Sequence, residues 1–343
     1  MSDKPTVLVT GASGFIAKHC VKKLLDEGLF VRASLRTPSR ADEVRAAVDT
    51  EGKAADRLSF VTLDLQSDEG WDEAMQGCTY VQHVASPFPP EDPAHEDELI
   101  IPAREGALRA LRSAAKAGVK RVVLTSSSAA IAYGRSDAQE RAEQTRVFTE
   151  DDWSDVDGPI SAYAKSKTLA ERAAWDFIKT DAAGGMELSV INPVAVLGPL
   201  LDKNFSTSGQ VVSRLIDGKV PACPRLNWSV IDVRDVAEAH YQAMLRPEAA
   251  GKRFITSSEE AWMLDISKAL NKAGYKTPLR TLPDFVLRLM AKFDKTLRMT
   301  VSGLGKQTRM DNTALRTVLG ITPRSVEEMS VAMAKTMRDF NAV

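Results

Sequence analysis

Short apolar runs alternate with amphipathic stretches through the first half of the chain. Val7, Leu8 and Val9 form a brief apolar run that predicts a buried strand. Apolar positions at Ile16, Val21, Leu24 and Leu25 then mark one face of a helix ending near Glu27. The rhythm repeats. LFVRASLR (29–36) predicts a second strand, a polar stretch over 39–50 a helix, and LSFVTLDL (58–65) a third strand. Residues 69–77 read as helical and lead to TYVQHVAS (79–86) as a fourth strand. A helix over about 98–117 precedes VKRVVLTSSS (119–128), and another over about 162–180 precedes MELSVINPVAVLG (186–198) as the sixth strand. Strands joined by helical crossovers pair in parallel and are covered on both faces, so the expected class is α/β.

Beyond Pro193 the pattern changes. Residues 199–228 are rich in Pro, Gly, Ser and Asn, as expected of a loop-bearing segment over a cleft. WSVIDVRDVAEAHYQAML (228–245) predicts a strand and a helix returning to the main sheet. From about Glu259 the pattern is mostly helical, with WMLDISKAL, DFVLRLMAKF and VEEMSVAMAKTM as amphipathic pieces. The expected division is a first domain of residues 1–192 plus about 229–256, and a smaller, discontinuous one of about 193–228 plus 257–343. Ligands of open α/β sheets bind at the carboxyl ends of the strands, where the smaller domain is expected to close.

The turn after the first strand, TGASGFIA, carries the first chemistry. Gly11 permits a tight turn, and Gly14 lets backbone N–H groups approach a pyrophosphate with no Cβ in the way. The helix beginning near Phe15 presents unpaired amides and a favourable dipole end to negative charge. Ala17 takes the third small position of the dinucleotide fingerprint. Gly11, Ser13, Gly14, Phe15 and Ile16 are therefore candidate cofactor contacts on a Rossmann-type doubly wound parallel sheet.

The second strand ends in SLRTPSR. No acid stands between Arg32 and Arg40 to accept bonds from ribose hydroxyls. Arg36 and Arg40 instead offer guanidinium groups, which bind a 2′-phosphate that a carboxylate would repel. This predicts NADP(H). Asp64 and Leu65, at the end of the third strand, suit the adenine, Asp64 accepting from its amino group. Val84, Ala85 and Ser86 end the fourth strand in small residues that let the backbone pass close to a cofactor.

Composition removes alternatives. The net charge of −1 over 343 residues provides no global field for nucleic acid. Cys20, Cys78 and Cys223 are too scattered for a disulfide framework or a metal cluster, and read as buried small hydrophobes in a reducing compartment. His19, His83, His95 and His240 lack metal-ligand spacing, and no metal is expected. Neither a bilayer-crossing run nor a signal peptide is visible, so a soluble cytoplasmic protein is the expectation. One local imbalance stands out: twelve Lys or Arg against three acids between Ile266 and Arg324. The stretch DFVLRLMAKFDKTLR (284–298) reads as a solvated basic face opposite a core face, with a membrane-surface or anionic-substrate role as the alternative.

The candidate reaction chemistry lies in SAYAKSK. Tyr163 and Lys167 are i and i+4 on a predicted helix and share one face. A nearby ammonium favours the phenolate of a tyrosine whose unperturbed pKa is about 10. Such a pair exchanges a proton at a carbonyl–alcohol centre while a nicotinamide exchanges hydride. In LTSSSAAIAYG, one of Ser126, Ser127 and Ser128 would hydrogen-bond the substrate oxygen as charge develops on it. The residues alone do not choose among the three.

TGASGFIA, the strand-end LDL, HVASP, LTSS, YAKSK and INPVAVLGP follow the order and approximate spacing of extended short-chain dehydrogenases/reductases. The chain most resembles their dihydroflavonol reductase-like group, which includes bacterial and yeast NADPH-dependent aldehyde and ketone reductases. The resemblance runs nearly throughout and includes DNTALRTVLGITPRSVEE. It implies Ser127 as the substrate-orienting hydroxyl and Tyr163 as proton donor, with Lys167 lowering its pKa and holding the nicotinamide ribose. It also implies Pro193 and Val196 beside the nicotinamide and a serine of STSG, Ser206, near the phosphates. Flavonoid-reducing members carry an Asn where Ala132 stands here, a departure that argues against flavonoid specificity. The expected activity is reversible reduction of an aldehyde or ketone, by a monomer or homodimer. The alternatives are a nucleotide-sugar epimerase or dehydratase on the same scaffold and a non-catalytic dinucleotide sensor.

Overall fold

In the computed structural model, residues 4–343 are described except 53, 55, 88–92, 144, 293–300 and 302. The first half follows the predicted alternation: β1 (Thr6–Val9), α1 (Phe15–Asp26), β2 (Phe30–Leu35), α2 (Ala41–Val48), β3 (Leu58–Thr62), α3 (Trp71–Met75), β4 (Tyr80–His83), α4 (Asp97–Lys116) and β5 (Arg121–Thr125). After α5 (Asp137–Ala142) and β6 (Val147–Phe148) come α6 (Ala162–Ile178), β7 (Glu187–Pro193), β8 (Ala195–Leu197), α7 (Gln210–Ile216), β9 (Asn227–Asp232) and α8 (Val233–Leu245). The remaining elements are β10 (Arg253–Thr256), β11 (Glu259–Trp262), α9 (Met263–Lys272), α10 (Asp284–Met290), β12 (Arg309–Met310), α11 (Thr313–Thr317) and α12 (Val326–Asp339).

Seven strands form one parallel sheet in the order β10-β7-β5-β4-β1-β2-β3. The strand order reverses at β1, whose neighbours are β2 and β4, and this switch point opens a crevice at the carboxyl ends. Alternation along β1 sets the two layers. Val7 and Val9 join Val21 and Leu24 of α1 and Val236 and Ala239 of α8 in one core. Leu8 points the other way, to Trp71, Met75 and Leu111 under α3 and α4.

The second half departs from the sequence reading in three places. The run predicted as one sixth strand breaks at Val194: β7 belongs to the main sheet, whereas β8 pairs with β9 in a second sheet of order β11-β9-β8. Pro193 carries no N–H, so the ladder cannot continue unbroken through it. WSVID therefore does not return to the main sheet, although α8 behind it does pack there, against α1. The seventh main-sheet strand is RFIT (253–256), and EEAW, expected in a helical region, is β11. A third core joins Leu197 and Val230 to Ile266 and Leu270 of α9 and to Met329, Met333 and Met337 of α12. The segment after β8 is tied to α1 by an ion pair between the buried Lys18 and Asp202.

All three cysteines are buried and free, as their reading as small hydrophobes anticipated. In the basic stretch over 284–298, Leu287 is buried while Phe285 and Leu289 of α10 are exposed, and residues 293–298 lie outside the described residues. Among the described residues no helix is long and apolar enough to cross a membrane.

Candidate active site

A cleft of about 630 Å³ opens over the carboxyl ends of β1, β2, β4, β5 and β7. Its floor is the turn between β1 and α1. Gly11 has φ +68°, and a Cβ there would lie 3.0 Å from Cα of Ala85, so the ends of β1 and β4 touch only because position 11 is glycine. The Gly11 N–H donates to Ser34 Oγ at 3.1 Å, and Thr10 Oγ1 accepts from the N–H groups of Val84 and Ala85, each at 3.0 Å. Two strand ends are thus held by the turn itself. No side chain caps α1 at Gly14 and no acid lies in its first turn, leaving the helix-end amides and their positive potential toward the cleft.

Ser13, Phe15 and Ile16 line this end, as do Arg36, Asp64, Leu65, Val84, Ala85 and Ser86. Arg36 is exposed on the rim, and no described residue takes its guanidinium as a partner. Arg40, the other guanidinium proposed from the sequence, is not among the lining residues. It sits at the start of α2 in a two-pronged pair with Glu43, at 3.0 and 2.8 Å. The Asp64 carboxylate accepts from the Gln66 N–H at 2.9 Å, so it both shapes its turn and borders the cleft.

At the opposite end, Ser127, Tyr163 and Lys167 line the same cleft, with Pro193, Val196 and Ser206 beside them. Ser161 caps α6 by accepting from the Ala164 N–H, which fixes the first turn that carries Tyr163. The Lys167 ammonium lies 5.9 Å from the Tyr163 ring centroid and donates to Ser86 Oγ at 2.9 Å. Of the three serines, Ser127 is hydrogen-bonded to the Tyr163 side chain, and its Oγ also accepts from the Ala129 N–H at 3.1 Å. Ser126 lines the cleft as well, whereas Ser128 does not. Ser127 is thus the serine that bears on the Tyr163 phenol.

Burial dominates the electrostatics of this end. Burial holds the Tyr163 phenol above its ordinary range, and its bond with Ser127 only partly opposes this. Burial also brings Lys167 down, to about 8, with the Glu171 carboxylate working the other way. The free protein therefore presents a neutral phenol, a proton donor, next to an ammonium that titrates close to neutrality.

Further residues stand around the site, of which only His83 was marked from sequence, as part of the fourth strand's end. His83 lies buried beneath the site with Nδ1 3.0 Å from Thr10 Oγ1, and burial pushes it down to about 3. His240 Nε2 is 2.7 Å from Thr125 Oγ1, a lining residue. Thr207 and Ser208 join Ser206 on the wall; the adjacent run of hydroxyls in STSG was the available signal. Ala132 borders a second cavity of about 500 Å³, with Arg135, Phe148 and Arg309. Among the described residues no cluster of His, Cys, Asp or Glu is placed to hold a metal ion.

The cleft suits a nicotinamide dinucleotide. Its floor is backbone that a Cβ would obstruct, its helix end carries no competing acid, and Ser126 Oγ is buried inside without a described partner. Ser13, Gly14, Phe15 and Ile16 would hold the pyrophosphate, Arg36 the adenosine ribose side, and Lys167, Pro193 and Val196 the nicotinamide half.

Residues 7–255 match the NAD dependent epimerase/dehydratase family. The cinnamoyl-CoA reductase CAD2 of Medicago truncatula is 39% identical over 251 residues, covering 72% of this chain and 74% of that protein. A dihydroflavonol 4-reductase of Zea mays is 37% identical over 269 residues, covering 76% and 71%. Among solved structures, the yeast methylglyoxal/isovaleraldehyde reductase Gre2 complexed with NADPH superposes with a TM-score of 0.77 at 28% identity, covering 98% of this chain and 100% of that one.

Proposed function

The chain belongs to the NAD dependent epimerase/dehydratase family of extended short-chain dehydrogenases/reductases, and from that premise we propose that it reduces aldehydes or ketones to alcohols with NADPH. The observation that carries the reading is the convergence of Ser127, Tyr163 and Lys167 on the cleft whose other end is the Gly11 turn. When bound, the reduced dinucleotide supplies the hydride. Tyr163 gives its proton to the carbonyl oxygen, a role favoured by burial that keeps the phenol neutral. Ser127 donates to the same oxygen as negative charge grows there. Lys167 stabilises the phenolate left behind and holds the nicotinamide ribose, with Ser86 fixing the ammonium.

Preference for the phosphorylated dinucleotide rests on Arg36, exposed at the rim of the adenosine end with no described acid paired to it. Residues of about 193–228 and 257–343 form the substrate side in this reading. The relatives' names are those of reductases, of cinnamoyl-CoA, of a dihydroflavonol and of methylglyoxal and isovaleraldehyde, which supports the reading. The test is depletion of NADPH and of NADH across a panel of aldehydes, ketones and keto esters. NADPH consumption with small carbonyls is expected. Purified protein that carries stoichiometric NAD and consumes no NADPH would overturn the proposal in favour of an internal epimerase or dehydratase cycle.

A further inference from the structure

Behind the catalytic end lies a buried polar network that none of the motifs accounts for. Glu171 follows Lys167 by four residues on α6, as Lys167 follows Tyr163, so the three share one face. Its side chain is 0% exposed. One carboxylate oxygen accepts from Arg253 Nε at 2.5 Å and from Trp175 Nε1 at 3.3 Å; the other accepts from Asn192 Nδ2 at 2.8 Å. The same Asn192 nitrogen donates to the Ser127 carbonyl at 3.2 Å. Arg253, on β10, is held in turn by the carbonyls of Glu150 and Asp152, each at 2.7 Å, and stacks on Trp153 at 3.8 Å. Next along the chain, Ser154 Oγ donates to the Ala129 carbonyl and accepts from the Tyr133 N–H, both at 2.8 Å. The segment carrying Ser127 is thus held at its start through Asn192 and Glu171, and farther along by Ser154, two residues beyond the Asp152 carbonyl that Arg253 binds.

We propose that Glu171 is a positioning residue for the reaction: through Asn192 it fixes the Ser127 peptide, and from one turn along α6 it sustains the ammonium of Lys167. Replacing a buried ion pair with apolar contacts is often neutral for stability or better, so Glu171 and Arg253 are not required merely to fill space. Their arrangement is accounted for by what the carboxylate faces. The groups around Lys167 are Ser86 and His83 from the end of β4, and Tyr163 and Glu171 from its own helix. His83 stays neutral and Tyr163 stays protonated, so Glu171 is the one anion in this set. Arg253, beyond it, offsets part of its field.

The inference rests on the proposed reductase reading for its kinetic part, so the test also follows Lys167 in the free protein. Lys167 is titrated by NMR of ¹³C-labelled lysine in wild type, in Glu171→Gln, and in Glu171→Gln/Arg253→Gln, which leaves no unpaired buried charge. We expect the Lys167 midpoint to fall by about one pH unit in both variants, since a nearby buried carboxylate is lost. We expect kcat to fall about tenfold while KM for the carbonyl changes less than about twofold, the pattern of lost transition-state stabilisation. Asn192→Ala, which keeps the ion pair, should lower kcat similarly and leave the Lys167 midpoint in place. An unchanged Lys167 midpoint in the double variant, or wild-type kcat in Asn192→Ala, would overturn the proposal. If wild type reduces no carbonyl at all, the functional reading fails while the titration still decides the role of Glu171 toward Lys167.

Discussion

The two ends of the cleft are built from different materials. The end at Gly11 is backbone: helix amides, a glycine at positive φ and strand ends in contact, with an exposed arginine at the rim. The end at Tyr163 is side chain, and its members are buried, titratable and bonded to one another. A backbone site works through shape and fixed dipoles, so its function depends on little beyond the local chain. A side-chain site works through proton affinities, which the surrounding core sets. The same reaction needs both, but they should fail in different ways when altered.

After the Tyr163 hydroxyl itself, Ser127→Ala should give the largest loss. Removing one preorganised donor to a developing oxyanion typically costs about 10²–10³-fold in kcat, and dinucleotide affinity, measured by fluorescence titration, should hardly change. Arg36→Ala should do the reverse. NADPH affinity is expected to drop about tenfold or more, since bonds to a charged group contribute about 1.5–3 kcal/mol, with NADH affinity and kcat preserved. Equal weakening of both dinucleotides would remove the basis for choosing between them. Gly11→Ala forces a Cβ against Ala85 at positive φ and should lower thermal stability by about 1–2 kcal/mol, with dinucleotide affinity falling alongside. The smallest effect is in pH. The ammonium of Lys167 is the active form, so kcat/KM for the dinucleotide, which reports the free enzyme, should decline as pH rises through about 8. A profile flat through pH 9 would detach Lys167 from the reaction.

The same contrast explains what could be read from residues alone. The glycine-turn end of the cleft was legible because its requirements are local: a strand, two glycines and a helix start, all within Val7–Ala17. Tyr163 and Lys167 were legible as a pair because helical spacing is local too. Their proton affinities were not, because burial comes from tertiary packing. The sequence reading pairs Lys167 with the tyrosine, and the structure adds a bond from Lys167 to Ser86, some eighty residues away in the chain. Choosing Ser127 from its two neighbours likewise required seeing which one meets Tyr163. Glu171 continued the four-residue spacing in plain view, yet its partners Asn192 and Arg253 lie on β7 and β10. Strand β10 itself escaped notice because RFIT is a four-residue run without alternation. Pro193 was read for its place beside the cofactor, whereas its lack of an N–H also divides one apolar run between two sheets.

The account turns on Tyr163 acting as the proton donor over a dinucleotide held independently of it. Tyr163→Phe keeps the ring and removes only the hydroxyl, so binding and turnover can be compared in one preparation. NADPH should bind within about twofold of wild type while carbonyl reduction falls by about 10²–10⁴-fold, the usual contribution of a positioned general acid. Reduction at near wild-type rate by the phenylalanine variant would show that the proton comes from elsewhere.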